Sequence, residues 1–187
     1  MGKAVLISIR PKWCDLIANG KKTVEIRKTR PKLETPFKCY IYQTLPKSGD
    51  WNKRDGRVVG EFVCGEIKKI HVIDRGNERP KALASEDMVW SNGDVQRMSC
   101  LSTDEICDYI GEKGGYGWLV SDLWMYDEPK QLSEFTPCCK FMLDEKQCDY
   151  RKVKFLNQQE SFMEEDGCNC LNFVRRPPQS YFYVEEM

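Results

Sequence analysis

A lysine, a glutamate and an arginine fall close together in the stretch Gly20-Lys21-Lys22-Thr23-Val24-Glu25-Ile26-Arg27-Lys28. Their chemistries are complementary. Lys22 supplies a compact point charge, and Arg27 a planar fork of donors suited to a phosphate or a base edge. Glu25, between them, can accept from an exocyclic amine such as N4 of cytosine. Thr23, Glu25 and Arg27 occupy every second position, with Val24 and Ile26 between. A strand's period of two therefore sends the polar set to one face and the apolar pair to the other. That polar face either lines a site or is an ordinary surface on which Glu25 and Arg27 pair.

Further candidates lie on either side of it. Arg10 and Lys12, where an opening strand meets a helix start, are placed for phosphate contacts near a helix N-terminus. Tyr116 and Trp118 follow a glycine-rich turn and offer stacking faces for a base. The plainer reading of Trp118 and Trp124 is as core residues. His71 is the only histidine, which together with the lack of a nucleophile-elbow motif argues against a Ser-His-Asp arrangement and suggests a structural or surface role.

These residues need a scaffold, and the chain is long enough for one. Its 187 residues, 41% hydrophobic and 31% charged, describe a soluble globular domain with an elaboration rather than two cores. Net charge is zero, but it is unevenly spread. Residues 1–40 hold ten lysines and arginines against three acids, a surplus of seven, so the remainder is seven negative. A basic lobe on a neutral chain is the footprint of a polyanion or anionic ligand, or else a well-solvated surface. No leader-like or membrane-spanning apolar run occurs, and ten cysteines without one suggest thiols in a reducing cytoplasm.

The elements follow from pattern. Residues 3–9 read as a strand, and Pro11 opens a helix carrying Trp13, Leu16 and Ile17 that Gly20 closes. The motif strand ends near Arg27, and another strand covers residues 39–42. Residues 45–57 read as a loop. A long strand covers 57–67, with Gly60 and Gly65 as bends. A helical excursion occupies about 74–113, with Ser85 before one short helix and Ser102 to Glu105 as a capping box. Strands at 118–120 and 123–126, and a closing strand at 180–184, complete the pattern.

The segments "ISIRPKWCDLIANGKKTVEIRK", "GRVVGEFVCGEI" and "GYGWLVSDLWMYDEPKQLSEF" resemble an ASCH domain of the PUA-like superfamily, whose pattern is strand, helix, then G-x-K-x-x-E-x-R. Here it is met by Gly20, Lys22, Glu25 and Arg27. The wording, with the closing "RRPPQSYFYVEE", is similar to phage and prophage proteins of Gram-positive bacteria. The resemblance implies an α+β fold: a small curved PUA-like β-barrel, with an N-terminal helix beside a cleft lined by the motif. It divides the chain into an ASCH/PUA-like domain over 1–135, helical insertion included, and a Cys-rich extension over 136–187 whose last strand returns to the barrel.

The resemblance also implies a partner: RNA or a modified nucleotide or nucleoside, bound by Arg10, Lys12, Lys22, Thr23, Glu25, Arg27, Tyr116 and Trp118. The alternative is a small hydrolase, amidohydrolase- or ribonuclease-like, acting on such a ligand. One similar group cleaves the acetyl amide of N4-acetylcytidine with a lysine, a threonine nucleophile and a glutamate. The lysine falls on Lys22, but Glu25 stands at the nucleophile position, which argues against that chemistry. As an enzyme, the chain would rely on a Lys22–Glu25 acid–base pair; binding is the favoured reading. No cofactor is required. In the tail, Cys138, Cys139, Cys148, Cys168 and Cys170 are numerous enough for a structural zinc, although no C-x-x-C pair occurs.

Overall fold

The computed structural model describes residues 2–45, 56–73, 81–138 and 178–187. Most of the 45–57 loop, the first residues of the insertion, and Cys139, Cys148, Cys168 and Cys170 lie outside them. The elements run β1 (Lys3–Ile9), α1 (Pro11–Ala18), β2 (Val24–Arg27), β3 (Phe37–Gln43), β4 (Arg57–Ile73), β5 (Ala82–Ser85), α2 (Asn92–Ser99), α3 (Thr103–Ile110), β6 (Gly115–Lys130), a 3-10 turn at Leu132–Glu134, and β7 (Tyr181–Glu185).

The apolar run of β1 is explained by burial on both faces. Val5, Ile7 and Ile9 enter one core cluster with Cys14 and Ile17 of α1, while Ala4 and Leu6 enter another with Tyr40 and Phe135. Such a strand must be central, and β1 pairs parallel to β3 and antiparallel to β7. The strands form one seven-stranded sheet in the order β2-β6-β4-β3-β1-β7, with β5 added to β4. Among the described residues the expected barrel is therefore not closed by backbone pairing, because β2 and β7 remain the ends of the ladder. The sheet is nonetheless bent. β4 and β6 slip register at Val58/Gly60, Glu61/Val63 and Cys64/Ile67, the neighbourhoods of the two predicted glycine bends. A Cβ at Gly60 would meet the Trp124 carbonyl oxygen at 2.6 Å, so the close approach of the two strands requires glycine there.

The insertion builds a second layer. Val24, Ile26 and Ile70 pack with Val95 of α2 and Ile106 and Ile110 of α3. Both helices start on reciprocal capping boxes, Ser91 with Asp94 and Ser102 with Glu105. Ser85 does not open a helix. It ends β5, where its hydroxyl accepts from Trp90 N (2.8 Å) and donates to Asp87 Oδ1 (2.5 Å), a turn use of the same side chain. His71 lies within β4, opposite Ala84 of β5. Trp124, read as core, is 66% exposed. By that point β6 has passed two of its register slips, and Trp124 sits opposite Glu61 with its ring edge-on to Tyr126.

Candidate functional site

Sequence periodicity assigned the polar side of β2 to a surface or a cleft wall. In the fold that side is turned inward. Val24 and Ile26 face the insertion, so Glu25 and Arg27 must face the other way, and there they lie opposite Trp118 and Tyr116 of β6. Trp118 belongs to the core cluster under α1, with Tyr116 packed against it. Lys22, Glu25 and Arg27 are consequently 2%, 7% and 6% exposed. Thr23 precedes the strand and is half-buried. Its N–H donates to the Met98 carbonyl and its own carbonyl accepts from Val120 N, both at 2.9 Å, so its backbone ties β2 to the insertion and to β6.

Buried charges must be paired and hydrogen-bonded, and these are. The Glu25 carboxylate is held from both sides, its Oε2 3.3 Å from Lys22 Nζ and its Oε1 3.1 Å from Arg27 Nη2. Lys22 also donates to the Ser99 carbonyl at 2.7 Å. That carbonyl lies at the C-terminus of α2, where unpaired backbone carbonyls and the helix dipole both favour a cation. The Lys22 ammonium is 5.3 Å from the ring centre of half-buried Trp13, whose ring also lies 4.5 Å from Lys12 Nζ. Arg27 Nη2 donates to the Ser8 carbonyl at 2.6 Å, and Nη1 reaches Ser180 Oγ at 3.5 Å. The guanidinium of β2 thus touches β1 and the segment entering β7, bridging the two ends of the open sheet.

The surroundings are dry enough to affect other groups. Burial, reinforced by the Glu25 charge, pushes the Cys14 thiol from 9.0 up to about 12. Burial also raises Cys64 to about 12 and lifts Cys39 well above its ordinary value, a rise that Arg27 opposes. These thiols are protonated at neutral pH and are not nucleophiles there.

The structure joins the motif residues of the sequence reading and leaves others apart from them. Lys22, Glu25 and Arg27 form one network, and Trp118 and Tyr116 lie across the ladder from two of its members. Trp118 is fully buried, its ring edge-on to Phe37 and Tyr181 at 6.1 and 5.3 Å between centroids, so it offers no open stacking face. Tyr116 is half-buried. Arg10 and Lys12 are exposed around the start of α1, as are Lys28 and Arg30 after β2. Cys138 is the one tail cysteine within the described residues, and its N–H donates to the Tyr183 carbonyl. Among the described residues no group of three or more His, Cys, Asp or Glu is placed to hold a metal. Trp13, Ser8, Ser99 and Ser180 escaped the sequence reading. Trp13 had the periodicity of an ordinary helix residue, and the other three act through backbone carbonyls or across long separations that carry no local signal.

The fold is α+β, with one bent, bulged sheet, an N-terminal helix over its inner face and a charged motif on an end strand. Residues 7–98, just under half of the chain, match the family model of the ASCH domain. The chain is similar in fold to two mutant forms of the ASCH protein ZmASCH from Zymomonas mobilis. One, a tyrosine-to-phenylalanine mutant, is 19% identical, with 98% of this chain and 91% of that chain covered at a TM-score of 0.53. The other, a serine-to-alanine mutant, is 18% identical, with 98% and 89% covered at the same TM-score. At these identities the likeness is one of fold. A search of curated proteins finds no match.

Proposed function

We propose that the protein binds RNA, or a modified nucleotide or nucleoside, at the inward face of β2. ASCH domains are in general RNA-binding domains of the PUA-like kind. The observation that carries the reading for this chain is the Lys22–Glu25–Arg27 network itself. Two cations and one carboxylate, nine-tenths or more buried, are joined here, and the flanking sequence adds a basic margin of exposed Arg10, Lys12, Lys28 and Arg30. A fold does not require this arrangement, since apolar residues of the same volume commonly stabilise a core as well or better. The margin supplies the long-range attraction that a phosphate backbone rewards.

Binding is favoured over hydrolysis by the state of Glu25. Both its oxygens are engaged by cations, which leaves neither free to approach a substrate, and the neighbouring thiols are protonated. The test is a thermal-shift screen of nucleosides, nucleotides and short single-stranded RNAs on wild type, Lys22→Ala and Arg27→Ala. A ligand at a hundredfold excess over its dissociation constant should add about 2.7 kcal/mol of stability. The shift is expected in wild type and not in the variants, each compared with its own unliganded melting temperature. Equal shifts in all three would remove the motif from binding. Product analysis of any hit separates a binder from a hydrolase: Glu25→Gln should abolish turnover in an enzyme and only retune selectivity in a binder.

A further inference from the structure

Two donors in the site have no hydrogen-bond partner among the described residues: Arg27 Nε and Trp118 Nε1. Arg27 is 6% exposed and Trp118 fully buried. An unpaired buried N–H is costly, and a buried tryptophan N–H usually finds an acceptor. The two orphans are also neighbours in the ladder. Trp118 lies opposite Glu25, and Arg27 is one step further along β2, opposite Tyr116. The inner face of the β2–β6 pair therefore carries a carboxylate acceptor together with two single N–H donors.

We propose that this face takes the edge of a heterocyclic base, not its phosphate. Carbonyl oxygens or unprotonated ring nitrogens would accept from Arg27 Nε and Trp118 Nε1, and the phosphate would remain outside on the exposed cations. The inference rests on the nucleotide reading above and specifies which part of the ligand enters. Three observations carry it. The fork of Arg27 that would clamp a phosphate is already committed, its Nη2 to Glu25 and the Ser8 carbonyl. The Lys22 ammonium is likewise engaged by Glu25 and the Ser99 carbonyl. A phosphate would also bring a second anion beside Glu25 in a region where neither is well solvated, which is expensive. A neutral acceptor avoids that repulsion and matches donors that act singly, one of them an uncharged indole. Trp118 then reads the ligand through its N–H, because its ring is packed edge-on against Phe37 and Tyr181.

The test uses the full chain, labelled with nitrogen-15, and follows the indole N–H resonances. Trp118 is assigned by its loss in Trp118→Phe. The probes are a panel of common and base-modified ribonucleosides, ribose 5-phosphate and inorganic phosphate. At least one nucleoside should move the Trp118 resonance saturably, and neither phosphate probe should. That nucleoside's affinity should fall tenfold or more in Arg27→Lys, which keeps the charge and loses Nε. The resonance is read in wild type, so poor folding of a variant leaves the result intact. Movement by ribose 5-phosphate or inorganic phosphate would overturn this inference and leave the nucleotide reading standing. No movement with any probe would overturn both.

Discussion

Glu25 is the residue on which the site's electrostatics turn, because it is the carboxylate that both Lys22 and Arg27 share. Glu25→Gln keeps the shape and strands two buried cations. It should cost about 3–5 kcal/mol, the range for removing one partner from a buried pair, read as a lower midpoint in urea with an unchanged slope. Cys14 gives a second prediction at this scale. Its folded-state pKa of about 12 exceeds its ordinary 9.0 because of burial and Glu25. The unfolded chain therefore loses this proton first as pH rises. The thiol's contribution to stability is complete below about pH 9 and is lost progressively toward pH 12, at up to about 1.4 kcal/mol per pH unit for one group. Denaturation series across that window should show a shallower decline for Cys14→Ala than for wild type. Lys22, Glu25 and Arg27 stand out in the sequence as a charged set, and Cys14 does not. The burial of that set was not legible, because alternation specifies which residues share a strand face and not what is packed against it.

At the scale of elements, α2 matters more than its eight residues suggest. Its C-terminal carbonyls hold Lys22 Nζ and Thr23 N, so the insertion backs the charged network of the candidate site. The capping boxes allow this to be separated from general stability. Ser91→Ala and Ser102→Ala should each cost about 1 kcal/mol, measured by thermal or chemical unfolding. Only Ser91→Ala, which loosens the helix that anchors Lys22, should also weaken ligand binding; equal effects on affinity would show that α2 plays no special part. The Ser102 box and the α1 signals, Pro11 and Gly20, were readable because caps are local. Gly20 adopts φ +67°, the left-handed conformation expected at such a helix end. The strand at Ala82–Ser85 was not readable, since its four residues gain their order from pairing with β4.

For the whole molecule, the notable feature is an open sheet whose ends are joined by a side chain. Arg27, on the strand at one end, reaches Ser8 and Ser180 beside the strand at the other. This was out of reach of sequence reasoning because β1, β2 and the last strand are far apart in the chain, and only the bent sheet brings them together. The charge asymmetry was legible, and it predicts how binding responds to salt. If exposed Lys12 and Arg30 contact a single-stranded backbone, Lys12→Ala and Arg30→Ala should each flatten the plot of log affinity against log salt by about 0.7. An unchanged slope would place the backbone elsewhere.

The most direct measurement is native-state hydrogen exchange of the full chain, with and without a saturating short single-stranded RNA. The account predicts added protection concentrated in residues 22–27 and 115–119, where the network and the orphan donors lie, with a smaller effect at the exposed margin. Saturable binding that leaves those two segments unchanged and protects another surface would contradict it, and would make the Lys22–Glu25–Arg27 network a clasp that holds the sheet together.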